Sequence, residues 1–230
     1  MSDQQRVEAL HLASQRLVRT VDAITADEYA GPSLLPGWTR AHVVAHLALN
    51  GEGLAEALRG VVGGESIPMY SSQEARDQDI EKLAAASAGA LRDRLMGATT
   101  DFADALNAVP EEKWGTAIER TPGGPSFKAG AALGMRSREV EIHHADLGLA
   151  YARSDWPGAF AALLLDAMAK REPAEPFTAH ADDLDRSWQC GDGGPVVTGT
   201  AADLGWWLSG RGNGDGLTSD NGVLPRIEAW

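Results

Sequence analysis

The chain has 230 residues, enough to bury a sizeable core in one large domain or two small ones without cross-links. Its formal net charge of −13 argues against nucleic acid and anionic membrane surfaces as partners, so an anionic substrate would need local arginines. The single cysteine, Cys190, excludes an internal disulfide, and no apolar run is long enough to span a membrane. The N-terminus lacks a signal-peptide pattern, so we expect a cytoplasmic location. We also expect a monomer.

The first part of the chain is typical of helices separated by glycine and proline breaks. Ser2 or Asp3 can cap a first helix, and Thr39 can cap a second that runs to about Gly60. The stretch GPSLLPG at 31–37 breaks the chain between them. The apolar residues of the first helix recur at helical spacing: Val7, Leu10, Leu17, Val21 and Ile24.

A further helix begins at Ser71 or Ser72 and carries Arg76 in its early turns. The helix dipole disfavours a basic residue there. Arg76 therefore serves either a ligand or an ion pair with a neighbouring acid.

Two more helices are predicted before residue 150. The pattern of residues 84–109 keeps a helical period until Pro110 ends it. An extended segment at 114–121 and a turn at 122–125 follow, and Ser126 can start the last helix of this part. Four main helices joined by modest loops favour a bundle, in which sites are built from inward-facing side chains of neighbouring helices.

The composition changes after about Arg153, where short β-like segments appear. These predict a small α+β domain, so the expected organisation is a helical bundle over residues 1–153 and a second domain over residues 154–230. We predict a hairpin turn at 192–194. The other expected elements are helices at 156–171 and 201–209, strands at 177–181, 187–190 and 195–200, and a glycine-rich loop at 210–216.

The stretch MRSREVEIHHADLG at 135–148 places metal-capable side chains on one helix face. Glu139 and His143 are four residues apart, and Asp146 returns to the same face as a further ligand or as a group that orients an imidazole. Arg136 lies there too, one turn earlier. A Glu-x-x-x-His pair is also common as a solvated pair on an exposed helix, so spacing alone leaves both interpretations open.

A zinc-like site needs another imidazole from elsewhere in the fold. The candidates are His42 and His46, and His46 is favoured because it lies beside Val43 and Leu47 at the edge of the apolar stripe. If a site with two histidines and one carboxylate forms, its metal can either activate a water for hydrolysis or hold an external thiol as thiolate.

Other residues give weaker signals. Arg211 lies in the glycine-rich loop and could close over a carboxylate, although a plain surface turn is equally compatible with this sequence. Cys190 has no obvious base beside it and is expected to be structural rather than nucleophilic. The chain thus offers no convincing nucleophile of its own.

Several motifs together resemble the mycothiol-dependent maleylpyruvate isomerase family, in matching order along nearly the whole chain. The first part is shared with the broader DinB-like family of metal-dependent enzymes that use thiols, whereas the PMY, EAR and GRG segments are more particular to the isomerase. The motifs are PGWTRAHVVAH at 36–46, PMY at 68–70, EAR at 74–76, MRSREVEIH at 135–143, DLG at 146–148, GRG at 210–212 and DG at 215–216.

The resemblance implies a mainly α protein, with a DinB-like four-helix bundle followed by a small α+β domain similar to sterol-carrier-protein folds. It also implies zinc held by His46, Glu139 and His143, with mycothiol as the thiol. The reaction implied is isomerisation of maleylpyruvate to fumarylpyruvate in the gentisate pathway, by reversible thiolate addition to the double bond. Arg76 and Arg211 are then the candidates for binding the substrate carboxylates or stabilising the developing charge.

Two alternative functions are also compatible with the sequence. A related enzyme could transfer mycothiol to an electrophile and release the conjugate, and consumption of the thiol would distinguish it. A non-enzymatic carrier with a structural metal is the second alternative, and a closed metal shell that includes Asp146 would favour it, whereas open coordination positions favour catalysis.

Overall fold

The chain forms two compact units, Met1–Gly148 and Leu149–Trp230, in a computed structural model that describes residues 2–227. The expected boundary after Arg153 lies a few residues further along, and the independence of the two parts as domains stays a prediction. No helix within residues 2–227 is long and apolar enough to cross a membrane. The protein is mainly helical, with a small sheet region.

The first unit is built from four long helices and two shorter ones. Helix α3 packs against α4, α5 and α6, and α1 packs against α5 and α6. The bounds are α1 Asp3–Ala23, α2 Ala26–Tyr29, α3 Arg40–Gly63, α4 Gln73–Ala84, α5 Ala88–Asn107 and α6 Ala132–Asp146.

Local capping explains where these helices begin. Ser2 and Thr39 form capping boxes at α1 and α3, as the sequence predicts. Ser72, rather than Ser71, caps α4 by accepting a hydrogen bond from the backbone N–H of Ala75. Helix α3 ends at Gly63, and its C-cap Gly64 has a φ of 79°, a left-handed conformation that glycine adopts readily.

Two of the sequence predictions for this unit are wrong at the start of a helix. Residues 84–109 do not form one helix, because Ser87 caps a new helix after α4 has ended at Ala84. Ser126 does not start α6. It belongs to strand β2 (Ser126–Lys128), which pairs antiparallel with β1 (Ala117–Glu119) across the turn at 122–125. Helix α6 begins only after a short 3-10 turn.

Up to residue 227, the second unit combines two α-helices with a four-stranded sheet in the order β4-β3-β5-β6. The predicted hairpin at 192–194 is wrong, because β4 and β5 do not pair with each other: both pair with the central strand β3, β4 antiparallel and β5 parallel. The alternating burial of β3 fits this central place. The bounds are α7 Gly158–Met168, β3 Phe177–Ala181, β4 Arg186–Cys190, β5 Val196–Gly199, α8 Ala201–Leu208 and β6 Thr218–Ser219.

Candidate metal site

Helices α3 and α6 bring three metal-capable side chains together inside the first unit. The Nε2 atom of His46 lies 2.8 Å from Oε2 of Glu139, and Nε2 of His143 lies 3.2 Å from the same oxygen. The ligand atoms of the three residues all lie within 4.8 Å of one another. Within residues 2–227, this is the one group of three or more such side chains that could hold a metal ion.

Asp146 fixes the orientation of one of these imidazoles. Its Oδ2 lies 2.8 Å from Nδ1 of His143, and the carboxylate is fully buried. Because the carboxylate accepts the Nδ1–H of His143, Nε2 is the nitrogen that faces the cluster and can bind a metal once its own proton is displaced. Of the two roles open for Asp146 in the sequence, the geometry favours the orienting one.

Burial and hydrogen bonds shift the pKa values of the three residues in different directions. Burial would raise the pKa of Glu139, but hydrogen bonds with His143 and His46 hold it well below its usual value. Burial lowers the pKa of His46 to about 4. Burial also acts to lower the pKa of His143, and the hydrogen bonds with Asp146 and Glu139 outweigh it, so that this pKa is raised.

This donor set fits a metal of the zinc type. Two imidazole nitrogens and one carboxylate oxygen are the three-ligand pattern of catalytic zinc sites, which keep a further position for water or substrate. Near neutral pH, Glu139 is ionised and His46 is neutral, the forms that bind a metal. A carboxylate that binds the far nitrogen of a ligand histidine, as Asp146 binds Nδ1 of His143, is also typical of such sites.

His42, the other histidine considered in the sequence, has a different place. Its Nδ1 lies 3.2 Å from the backbone nitrogen of Thr39 in the capping box of α3, and its Nε2 lies 3.2 Å from Glu81. His46 is buried, one turn further along α3, and the centroid of its ring lies 5.6 Å from that of the tilted Trp38 ring. His42 thus belongs to the helix start, and His46 to the cluster.

The two candidate arginines lie in different units. The Nη2 of Arg76 lies 3.2 Å from Nδ1 of His46, and its Nη1 donates to Asp77 at 2.7 Å. Arg211 belongs to the second unit, where its Nη1 donates to the carbonyl of Ser209 and its guanidinium lies 5.8 Å from the ring centroid of Trp206. The catalytic roles of Arg76 and Arg211 stay predictions.

Two polar residues beside the cluster were missed by the sequence reasoning. Asn50 lies on α3 four residues after His46. This spacing places both side chains on one helix face, so the sequence could have predicted that Asn50 lies near His46. Tyr70 stands in the quoted PMY segment, and the guanidinium of Arg76 lies 5.8 Å from its ring centroid. No local sequence pattern predicts that the loop between α3 and α4, which carries Tyr70, packs back against α3.

Comparison with known proteins identifies the family. Residues 10–148, which carry the whole cluster, match the family model described as mycothiol maleylpyruvate isomerase N-terminal domain. The chain belongs to the mycothiol maleylpyruvate isomerase family. This membership places it among isomerases, and therefore among enzymes.

Solved structures agree with the family over the full length. The crystal structure of a mycothiol-dependent maleylpyruvate isomerase matches with a TM-score of 0.91 and 28% identity, covering 100% of this chain and 98% of that one. A crystal structure described as a histidine-to-alanine mutant of the mycothiol-dependent maleylpyruvate isomerase matches with the same values. A comparison with curated protein sequences gives no significant match.

Proposed function

We propose that this chain isomerises maleylpyruvate to fumarylpyruvate with mycothiol as a recycled thiol, as a step of the gentisate pathway. The observation that carries the proposal is the buried cluster of His46, Glu139 and His143 inside the segment that matches the isomerase family. Reversible addition of the thiolate turns the cis double bond into a single bond, and rotation followed by loss of the thiol gives the trans product. The substrate is therefore a small dicarboxylate.

We propose that His46, Glu139 and His143 bind zinc, and that Asp146 supports His143 from behind. The ion when bound would lower the pKa of a thiol at its open position and hold it as thiolate near neutral pH. In this proposal, the protein keeps Glu139 ionised and holds both imidazoles in the orientation that binds the metal. The hydrogen bonds at Glu139 and the contact between His143 and Asp146 support these roles.

We propose that Arg76 and Arg211 bind the carboxylates of the substrate or stabilise the charge that develops on it. In a protein with a formal net charge of −13, local guanidinium groups are needed to attract a dianion. Arg76 supports this role because its side chain is largely buried and reaches His46. A guanidinium can hold a carboxylate through two parallel hydrogen bonds.

The finer description of the fold is part of the same proposal. We infer a DinB-like bundle from the four long helices of the first unit, with the metal ligands on two of them. The four-stranded sheet with two helices in the second unit supports a sterol-carrier-protein-like domain. The whole-chain match to a maleylpyruvate isomerase crystal structure is compatible with both assignments.

The decisive experiment is an assay of maleylpyruvate with zinc-loaded protein, with and without catalytic amounts of mycothiol, with free thiol followed in the same sample. We expect turnover that requires mycothiol and leaves its concentration unchanged. Stoichiometric loss of thiol would instead indicate a transferase that conjugates mycothiol to an electrophile. Absence of turnover with metal and thiol intact would contradict the proposed function and favour a non-enzymatic carrier.

A further inference from the structure

A cavity of about 610 Å³ lies between α1 and α5 of the first unit. Its inner wall is apolar, because the lining side chains of Leu10, Phe102 and Leu106 are buried there. Exposed residues of the same two helices, Glu8 and Ala103 among them, form its mouth. The volume falls within the roughly 300–1,000 Å³ of sites that bind small molecules.

The cavity follows the two helices as a groove. Its lining residues extend from 7 to 14 on α1 and from 99 to 107 on α5. At the helical rise of ~1.5 Å per residue, these stretches are about 10 Å and about 12 Å long. The candidate ligands His46, Glu139 and His143 do not line the cavity, so it is separate from the metal cluster. The groove suits an apolar group that is longer than it is wide.

Arg136 is the charged residue that closes this groove from the interior of the bundle. It belongs to α6, lines the cavity and is only 1% exposed. Its Nη1 donates to the carbonyl of Leu47 at 2.7 Å and to Oδ1 of Asn50 at 3.0 Å, both on α3. Both acceptors are neutral, so these bonds orient the guanidinium without balancing its charge.

The other terminal nitrogen of Arg136, Nη2, is buried without a hydrogen-bond partner among residues 2–227. Burial lowers the pKa of Arg136 to about 10, although the charge of Glu139 acts to raise it, so the guanidinium stays protonated at neutral pH. A buried cation that lacks a contacting anion is costly to a fold. Nη2 therefore offers a charged donor to an anion that enters the cavity.

The helix contacts place Nη2 beside the α5 wall of the cavity. A Cβ at Gly51 of α3 would lie 3.1 Å from Nη2 of Arg136 and 3.3 Å from the Cβ of Ala98. Ala98 directly precedes Thr99, which lines the cavity. The donor thus lies where α3 and α5 approach each other at the inner end of the groove, and the glycine leaves space for it.

We propose that this cavity binds a monocarboxylate with an apolar body, whose carboxylate accepts a hydrogen bond from Nη2 of Arg136. The apolar body then covers the wall formed by Leu10, Phe102 and Leu106. A single acidic group fits best, because a second one would lie among apolar side chains or near Glu8 at the mouth. Aliphatic and aromatic acids share this chemistry. The site does not depend on the proposed isomerase function.

The first test is calorimetry on the zinc-loaded full-length protein with octanoate and 2-naphthoate, each compared with its alcohol, octan-1-ol or 2-naphthalenemethanol. We expect at least one acid to bind, and the tighter of the two shows whether the apolar body is aliphatic or aromatic. That acid should bind at least about 10-fold more tightly than its alcohol, because a buried guanidinium strengthens the hydrogen bond to a carboxylate. Failure of both acids to bind, or equal binding of acid and alcohol, would overturn the proposal.

The second test blocks the groove at its mouth. Ala103→Trp adds an indole at an exposed position of α5 that lines the cavity, and the control Ala90→Trp adds one at an exposed position of α5 that does not. We expect Ala103→Trp to weaken binding of the acid at least about 10-fold, because the indole takes up the space of the apolar body. The control should bind it as the wild type does. Equal binding by both variants would place the acid elsewhere, for example on the zinc ion, and contradict the proposal.

The third test removes the charge with Arg136→Met, which keeps an unbranched side chain. We expect this variant to bind the acid no more tightly than its alcohol. Circular dichroism checks the folding, because the carbonyl of Leu47 and the amide of Asn50 lose their donor. Wild-type affinity for the acid in folded Arg136→Met would overturn the role of Arg136. If the variant does not fold, the comparison of acid with alcohol in the wild type decides the same question.

Discussion

At the scale of single residues, burial and hydrogen bonds set the protonation state of each side chain in the cluster. Glu139 receives hydrogen bonds from both histidines, and His143 is held on its far side by Asp146. Removing a neighbour should therefore change the metal affinity without removing a ligand.

The first such test is Asp146→Asn, which keeps the size of the side chain and removes its charge. We expect zinc affinity to fall about 10- to 100-fold, the usual effect of losing a carboxylate behind a ligand histidine. Competition with a chromogenic chelator measures it, and Asp93→Asn, at an exposed position of α5, is the control. Unaltered affinity would mean that His143 needs no such support.

A second prediction concerns proton release on metal binding. The raised pKa of His143 means that the metal-free protein still holds its proton near pH 6.5, and zinc must displace it, so affinity falls as the pH falls through that raised pKa. The lowered pKa values of Glu139 and His46, about 4 for the latter, keep those groups from competing there.

Calorimetry in buffers of different ionisation enthalpy should find that zinc binding releases more protons from the ligand histidines at pH 6.5 than at pH 8.5. Asp146→Asn should release fewer near pH 6.5, because it removes an interaction that raises the pKa of His143. Release that is independent of pH would disprove this assignment.

At the scale of elements, two requirements on α3 conflict: it must form a stable helix and it must leave room for neighbouring segments. It begins at a well-formed capping box, yet its buried surface includes glycines that weaken a helix. The glycines are explained by close approach of the segment at 69–70 and of Arg136, so shape has taken priority over helix propensity.

Paired glycine substitutions test this explanation. Gly→Ala within a helix normally stabilises by up to about 1 kcal/mol, and we expect that gain for Gly97→Ala in α5, where a Cβ meets nothing within 4 Å. Gly53→Ala should instead lower the free energy of unfolding by about 1–3 kcal/mol, because its Cβ would lie 2.7 Å from a backbone oxygen. Urea unfolding measures both, and effects of equal sign would refute the explanation.

At the scale of the whole molecule, the chain presents a metal cluster in one unit and a candidate substrate arginine in the other. The family match covers residues 10–148, whereas the structural match covers the complete chain. The contribution of the second unit is thus a question of function that a substitution there can answer.

Arg211→Ala is that substitution. We expect its isomerase kcat/KM to fall about 10²-fold with full zinc content, because a carboxylate-binding or charge-stabilising cation would be lost. Arg171→Ala, at an exposed position of the same unit, should keep the wild-type rate. Wild-type kinetics in Arg211→Ala would remove this arginine from the mechanism, whereas loss of zinc would point to misfolding.

The sequence by itself determined the features that depend on neighbours along the chain. The helix caps at Ser2 and Thr39 could be predicted from the sequence, because a cap is a contact across three residues. The sequence also predicted that Glu139 and His143 share a helix face, because the helical repeat places residues four apart on one side. The break at Ser87 was missed, since an alanine-rich sequence supports a continuous helix equally well.

Only the tertiary structure decided which distant segments meet. Three contacts join parts of the chain that share no local pattern: the approach of His46 to Glu139, the approach of Tyr70 to Gly53 of α3, and the place of β3 between β4 and β5. Such contacts result from burying helix and strand faces against one another throughout a unit. A helical period states which side chains share a face, and packing determines what that face contacts.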